Sequence, residues 1–408
     1  MDGRGQVRTQ CPVAWQGRRL DASRHRLALP RGRDLGSQGA VRRADAGTGQ
    51  VQAMTPNRPA DDRVTRAVLD CLRDGSWARY DHERLESFEA FTARTLGAAH
   101  AVLAGSGTLA LEHALAATGV GPGGMVALSA YDFPGNFLTV HALGARPVLV
   151  DADPATGQMD PASLSVALGR FSIAAVVVSH LHGGIAPLDD IIPLCDRAGA
   201  AVVEDCCQCP GGTLAGRPLG TRGRAGVVSF GGGKPVSCGR GGAVLTDDAL
   251  VAQRVKLRSH RGTRLAVPGN LQLAALEPQL AGWKETLGTA ADRLGRLDGV
   301  FRNNRACQPV WRVSTGNLSG FYRLGLMVPA GDRQRLIESA KALDLPLAAG
   351  FRAIHAGRSA ARFETAGDLP GALECGRRMT TLEGELVRWD GNAFEDALER
   401  CRAWAPAA

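Results

Sequence analysis

The chain has 408 residues, of which 44% are hydrophobic and 22% are charged. This composition is globular and excludes wholesale disorder, and the length predicts two or three domains. No run reaches the roughly 18 apolar residues of a membrane span, and the polar start lacks the apolar core of a secretory signal. We therefore expect a cytoplasmic protein with no membrane partner.

The net charge of +8 is concentrated at the start of the chain. Residues 1–53 contain ten arginines, no lysine and four aspartates, so six of the eight net charges lie there. This leader has no helical or strand period, and we predict that it is disordered or is a wrongly assigned start before Met54. A functional basic arm is the alternative. Because a nucleic-acid surface should place its basic residues on a folded face, nucleic acid is not favoured as a partner.

Regular elements begin near residue 60, where apolar spacing predicts helices at 63–73 and 83–96. Short apolar runs and helical patterns then alternate. The predicted strands are 101–104, 125–129, 147–150, 174–179, 200–204, 226–230 and 243–246. The predicted helices between them are 108–118, 137–144, 161–168 and 189–198. Strands that are apolar on both faces and separated by helices indicate a mostly parallel, seven-stranded sheet in an α/β domain.

The pattern changes beyond residue 260. A long helical stretch at 270–297, broken near Pro278, is followed by a strand at 320–328 and helices at 332–343 and 394–405. Without strict alternation, these elements predict a smaller α+β domain. We thus predict a leader at 1–53, a large domain at 54–265 and a small C-terminal domain at 266–408.

Lysine is scarce, and one of the four lysines stands apart. Lys234 follows a predicted strand inside the run S-F-G-G-G-K-P-V-S-C-G-R-G-G at 229–242. A P-loop would need Ser or Thr after the lysine, whereas Pro235 follows here. The better interpretation is a Schiff-base lysine, because glycines let the backbone approach a flat cofactor.

Such a cofactor needs an acid, a phosphate site and an aromatic face. Asp205 follows the predicted strand 200–204, at the edge where α/β sheets bind ligands. The turn Gly105-Ser106-Gly107-Thr108 joins a strand to a helix N-terminus, which suits a phosphate, and Ser229 could add a hydroxyl. Phe133 could stack on the ring, with Tyr131 in the same loop.

Ten cysteines raise the question of a metal. C-C-x-C at 206–209 is not the zinc spacing C-x-x-C, although His180 and His182 lie one strand earlier and leave a zinc site open. Small buried thiols in a reducing compartment are the better interpretation. We predict no metal.

These motifs resemble those of the DegT–StrS type of pyridoxal-phosphate aminotransferases. The resemblance rests on G-S-G-T-L-A-L at 105–111, Y-D-F at 131–133, H-L-H-G at 180–183, V-E-D-C-C-Q at 203–208 and S-F-G-G-G-K at 229–234. It implies a fold-type-I transferase with pyridoxal 5'-phosphate as cofactor, and a homodimer with shared active sites. It also implies an amino donor, glutamate or glutamine, and a ketone acceptor such as a keto-sugar or keto-cyclitol, in a secondary-metabolite or nucleotide-sugar pathway.

The resemblance also implies roles for individual residues. Lys234 would be the catalytic lysine, Asp205 would pair with the pyridine nitrogen, and Gln208 would bond the ring hydroxyl. Phe133 would stack on the ring. The phosphate would be held by Gly107, Thr108, Leu109 through its amide, and Ser229. Asn270 would add a cofactor contact that reaches the partner subunit, and His180, His182 and Tyr131 are candidates for substrate binding.

Some residues depart from the family pattern. Cys206 and Cys207 stand where small residues are usual, and His182 stands where a tyrosine is usual. Another reaction on the same cofactor (oxidation, decarboxylation or elimination) therefore stays open beside aminotransfer. A DNA-binding regulator that uses the leader is the alternative from a different class.

Overall fold

The computed structural model describes residues 61–80, 82–259, 266–304, 306–312, 314, 316–388 and 390–405. All of these belong to one compact unit, Thr55–Ala408. The predictions for residues 1–53 lie outside the described residues. Among the described helices, none has the length and apolarity needed to cross a membrane.

Strands and helices alternate through the first two thirds of this unit. The strands are β1 (His100–Ala104), β2 (Met125–Ser129), β3 (Arg146–Val150), β4 (Ile173–Ser179), β5 (Ala201–Asp205), β6 (Thr213–Leu214), β7 (Arg217–Pro218), β8 (Ala225–Ser229), β9 (Gly242–Thr246), β10 (Gln308–Pro309), β11 (Arg323–Met327), β12 (Leu347–Ala349), β13 (Glu364–Thr365) and β14 (Met379–Glu383). The helices are α1 (Asp62–Arg73), α2 (His82–Leu96), α3 (Gly107–Ala117), α4 (Pro134–Ala142), α5 (Pro161–Arg170), α6 (Leu188–Ala198), α7 (Ala249–Ser259), α8 (Asn270–Ala281), α9 (Trp283–Phe301), α10 (Arg333–Lys341), α11 (Pro370–Arg378) and α12 (Gly391–Trp404).

The large sheet has the order β1-β9-β8-β5-β4-β2-β3-β13. β9 runs antiparallel to both of its neighbours, and the other pairs are parallel. The seven predicted strands are confirmed. The eighth strand, β13, was not predicted, because two residues beside β3 are too few to show a period.

Alternate residues of each central strand enter separate cores on the two faces of the sheet. Leu103 and Ala127 pack into one core, while Val102 and Val126 pack into the other. Both faces are covered by helices, so these strands are apolar throughout their length. Each large apolar side chain buried in this way contributes about 1.5–3 kcal/mol.

Several predicted helix boundaries are wrong. α9 extends to Phe301 beyond the predicted 297, and α12 begins at Gly391 rather than at 394. α4 begins at Pro134 rather than at 137. Proline suits the first turn of a helix because its missing N–H would have no partner there. The break in 270–297 lies at Gly282 and not at Pro278, which lies inside α8. Pro278 lacks only its own N–H, and its carbonyl still accepts the N–H of Gly282 at 3.2 Å.

The last third of the chain forms a second sheet of order β10-β11-β14-β12, antiparallel throughout. This sheet joins the large one through a direct contact, since the N–H of Gly325 in β11 donates to the carbonyl of His182 at 2.8 Å. The residues that follow β4 are thereby fixed between the two sheets.

The parallel strands β1, β2, β4, β5 and β8 present their carboxyl ends at one edge of the large sheet. Ligands of α/β proteins bind at this edge. The predicted site residues follow these strand ends directly in the chain, so the topology collects them there.

Candidate active site

A tight cradle forms where the turn after β1 meets the end of β8. A Cβ built on Gly107 would lie 2.8 Å from Ser229 Cβ and 2.9 Å from Cys207 Sγ. The structure thus brings together Gly107, Ser229 and the turn after β5. Glycine is favoured at position 107, because a Cβ there would overlap Ser229 and Cys207.

The helix N-terminus beside this cradle is partly capped. Ser106 Oγ accepts the N–H of Leu109 at 3.1 Å. The first N–H groups of a helix have no partner within it, so those of Gly107 and Thr108 are the ones left for an anion. The N–H of Leu109, which was predicted to bind the phosphate, donates to Ser106 Oγ in this structure.

Asp205 lies at the end of β5 and is 7% exposed. Its Oδ1 accepts the N–H of Cys207 at 2.9 Å, and its Oδ2 accepts Asn136 Nδ2 at 2.8 Å. Two donors hold the carboxylate in place and leave it further lone pairs. It could therefore accept a third N–H, as a protonated pyridine nitrogen would offer.

Lys234 is half-buried in the loop after β8. Its Nζ lies 3.7 Å from the centre of the Tyr322 ring, a cation–π distance. Burial lowers its pKa; the charges of Cys207 and Asp205 oppose this shift, and the Arg323 guanidinium adds to it. A lysine with a lowered pKa spends more time as the neutral amine, the form that reacts with carbonyls.

His182 and Tyr131 form a buried aromatic group around Phe351. Tyr131 Oη lies 3.0 Å from His182 Nε2, and the N–H of Phe351 donates to Tyr131 Oη at 3.2 Å. His182 has a φ of 56°, and its N–H donates to Gln208 Oε1 at 3.2 Å. Burial, together with the charge of Arg323, lowers the pKa of His182 to about 3, so it stays neutral.

Phe133, the predicted stacking ring, is 43% exposed at the start of α4. Its centre lies 6.0 Å from that of Phe351. An exposed ring beside a buried aromatic group has an open face, which is what stacking on a planar ligand requires.

His180 belongs to a separate buried network. Its Nδ1 accepts the N–H of Ala186 at 3.1 Å, so its proton lies on Nε2, 3.3 Å from Glu204 Oε2. Burial opposes ionisation of Glu204, but the hydrogen bond from His180 and the N–H groups of Gly220 and Gly223 outweigh it and lower its pKa. Cys206 lies close enough for a three-ligand cluster, with ligand atoms within 4.8 Å. Hydrogen bonds already use both nitrogens of His180, so packing accounts for this cluster.

Asn270 starts α8 and is also buried. Its Nδ2 donates to the carbonyls of Ser76 at 2.7 Å and Arg79 at 3.2 Å. The amide thus ties α8 to the 3-10 turn Ser76–Ala78, and its contact with a cofactor stays a prediction.

Sequence reasoning missed Tyr322, Arg323 and Phe351. Arg323 pairs with Glu383 through its Nη2 at 2.8 Å, and its charge acts on both Lys234 and His182. These residues come from the second sheet and the loop after β12. The sequence offered one signal, namely adjacent aromatic and basic residues in F-Y-R at 321–323.

The residues at this edge fit pyridoxal phosphate. The helix start at Gly107, packed against Ser229, suits a phosphate, the carboxylate of Asp205 suits the ring nitrogen, and the amine of Lys234 suits an aldehyde. Together with the large sheet and its reversed β9, they define a fold-type-I pyridoxal-phosphate architecture. The chain matches the DegT/DnrJ/EryC1/StrS aminotransferase family over residues 59–369, and it belongs to that family.

Several curated relatives of the chain are named as aminotransferases. The chain is 38% identical over 202 residues to L-glutamine:scyllo-inosose aminotransferase of Streptomyces griseus, covering 48% of this chain and 47% of the relative. It is 30% identical over 309 residues to GDP-perosamine synthase of Caulobacter vibrioides, covering 71% and 81%. The chain spans about half the length of the curated cyclitol aminotransferases it matches.

Among solved structures, the aminotransferase TlmJ from Streptoalloteichus hindustanus superposes with a TM-score of 0.74. The sequence identity is 25%, and the match covers 86% of this chain and 97% of that one. The fold therefore agrees over most of both chains.

Proposed function

We propose that the protein is a pyridoxal-phosphate-dependent aminotransferase that passes an amino group from glutamine or glutamate to a ketone. The observation that carries the proposal is the position of Lys234 in the loop after β8, at the sheet edge that also holds Asp205 and Gly107, within a member of this aminotransferase family.

The chain's own residues have distinct tasks in this proposal. Bound pyridoxal phosphate supplies an aldehyde that condenses with amines and a ring that takes up electrons. Lys234 Nζ acts as nucleophile and then moves the proton. Asp205 keeps the ring nitrogen protonated, and Gln208 is proposed to bond the ring hydroxyl. The cradle of Gly107, Thr108 and Ser229 binds the phosphate, and Phe133 covers the ring and excludes water.

The acceptor is proposed to be a keto-cyclitol, a keto-sugar or a related ketone of secondary metabolism. The name of the Streptomyces griseus relative supports the first class and glutamine as donor, and that of the Caulobacter vibrioides relative supports the second. His182, Tyr131 and the neighbouring Phe351 are proposed to meet the substrate.

Absorbance spectroscopy tests the reaction class. We expect the purified protein to gain a visible band with pyridoxal phosphate and to lose it on adding glutamine or glutamate. Borohydride should link the cofactor to Lys234, which peptide mapping resolves easily because the chain has only four lysines. Lys234→Ala should abolish both results, while Lys341→Ala, at an exposed lysine, should change neither.

Two other outcomes would change the assignment. A band that persists with both donors would favour a non-transaminating reaction on the same cofactor. The absence of any band would refute the cofactor proposal itself.

We further propose a homodimer with shared active sites, in the cytoplasm, with domains at 54–265 and 266–408. Trp77 and Tyr80 are 52% and 77% exposed in the segment that Asn270 holds, and exposed aromatics favour interfaces. The nine described cysteines are free thiols, which supports a reducing compartment.

Light scattering tests the dimer. Trp77→Ser with Tyr80→Ser should shift the mass toward the monomer. Val166→Ser, which removes a 57% exposed side chain from α5, is the matched control and should leave the mass unchanged. A monomeric wild-type protein would refute the dimer.

A further inference from the structure

The proposed function leaves one buried acid beside the site without a role. Asp132 lies in the turn after β2 and is fully buried. Ser179 Oγ donates to its Oδ2 at 2.9 Å, and the N–H of Phe133 donates to its Oδ1 at 2.6 Å. Burying a carboxyl is costly unless it is hydrogen-bonded. The hydrogen bonds from Ser179 and Phe133 offset this cost and fix the orientation of the Asp132 carboxyl.

A single amide group connects Asp132 to Asp205. Asn136 Nδ2 lies 3.3 Å from Asp132 Oδ1 and 2.8 Å from Asp205 Oδ2. An amide NH₂ has two hydrogens, so it can serve both carboxyls only when the amide oxygen is turned away from them. Ser179 Oγ, which donates to Asp132, lies 3.2 Å from the same nitrogen and belongs to the same group of contacts. Asn136 is 3% exposed, and a flipped amide would set its oxygen against two acids.

We propose that Asp132 is a positioning residue, which acts through Asn136 to hold the Asp205 carboxylate in the orientation that meets the pyridine nitrogen. The proposal rests on the proposed function for its last step. Asp132 itself is shielded from ligands, because Ser179, Phe133 and Asn136 surround its oxygens. Its second contact, with the backbone of Phe133, also anchors the predicted stacking ring.

The charges around Asp132 are compatible with this role. The titratable groups that face it are Asp205 at the end of β5, Cys207 in the next turn, and Tyr131 beside it. Burial and the charge of Asp205 raise the pKa of Asp132 to about 8, against the three hydrogen bonds it accepts. At neutral pH it is mostly protonated, so Asn136 and Asp205 are not faced by a second negative charge.

The first test needs no cofactor. The chain has seven asparagines, so their side-chain NH₂ signals can be labelled selectively, and Asn136→Ala identifies the pair from Asn136. We expect Asp132→Asn to shift this pair. The control is Asp151→Asn, at a half-buried acid that accepts the N–H groups of Gly371 and Ala372 at 2.9 and 2.7 Å. It should leave the pair in place, and unmoved Asn136 signals in Asp132→Asn would overturn the proposal.

The second test is a double-mutant cycle on cofactor affinity. Asp132→Ala removes the acceptor that Asn136 meets, so it should bind pyridoxal phosphate about 5- to 150-fold more weakly, the range expected when a buried donor loses its partner. Its absorbance should also respond differently to pH. Since Asp132 acts through Asn136, the double variant Asp132→Ala with Asn136→Ala should be no weaker than Asn136→Ala alone. Additive losses, or wild-type affinity in Asp132→Ala, would overturn the proposal.

Two further outcomes remain separable. If Asp132→Ala failed to fold, Asn136→Ala with the same loss of affinity would support the proposal, and unchanged affinity would overturn it. If the wild-type protein took up no pyridoxal phosphate, the proposed function would fail, while the amide signals would still decide whether Asp132 orients Asn136.

Discussion

Replacing Gly107 by alanine should weaken cofactor binding through a purely steric effect. The new Cβ would lie 2.8 Å from Ser229 Cβ and 2.9 Å from Cys207 Sγ, whereas non-bonded carbon atoms prefer about 3.5–4.0 Å. Overpacking of this kind costs about 1–3 kcal/mol. Relief of this contact displaces Ser229 or the turn at Gly107. Both are proposed to hold the phosphate, so the cofactor-bound state bears the strain and the dissociation constant should rise about 5- to 150-fold.

Titration of the cofactor-free protein with pyridoxal phosphate, followed by visible absorbance, measures this effect. Gly105→Ala is the matched control in the same turn, because its Cβ would come no closer than 3.5 Å to the carbonyl oxygen of Ala266. Adding Cys207→Ala to Gly107→Ala should recover part of the affinity, since one of the two contacts is removed. Wild-type affinity and an unchanged unfolding temperature in Gly107→Ala would refute the steric reasoning.

Three other predictions follow from the buried polar groups. Glu204→Ala leaves His180 Nε2 and the N–H groups of Gly220 and Gly223 without their acceptor. Each unpaired buried donor costs about 1–3 kcal/mol, so the free energy of unfolding should fall by at least about 3 kcal/mol; an unchanged urea midpoint would contradict this. Burial lowers the pKa of His182 from 6.5 to about 3, so its contribution to stability is lost as the pH falls through that window. His182→Asn should reduce this acid slope, and an identical slope would argue against it. Asn270→Ala should speed amide exchange at 76–80, and unchanged protection there would show that the two hydrogen bonds are dispensable.

Pattern and composition predicted the large sheet well, since strands buried on both faces leave continuous apolar runs. The motif residues were found for a related reason. Asp205 ends β5, and Gly107 and Lys234 lie in the loops that follow β1 and β8. A parallel sheet places such residues at one edge. The position of each residue just after an apolar run that predicts a strand was therefore enough to place it at this edge.

Residues that reach the site from a distance left no such signal. Tyr322 approaches from the position just before β11 of the second sheet, and Phe351 approaches from the loop after β12. Only the packing of the folded chain shows what these two side chains contact. The break at Gly282 was misplaced because proline inside a helical pattern usually ends or kinks the helix. Here the carbonyl of Pro278 still accepts the N–H of Gly282, so α8 continues past the proline. Asp132 lies inside the motif Y-D-F at 131–133, yet its link to Asp205 depends on the side chain of Asn136, one helical turn further along the chain.

The edge strand β13 has a consequence for synthesis of the chain. Arg146, the first residue of β3, bonds Glu364 of β13 across 218 positions, so β3 stays an open edge of the nascent sheet until that segment emerges. At about 5–20 residues per second, the delay is roughly 10 to 45 s. Open edges recruit other strands. A protein shortened just before residue 364 would thus risk edge-to-edge association while still containing every residue of the candidate site.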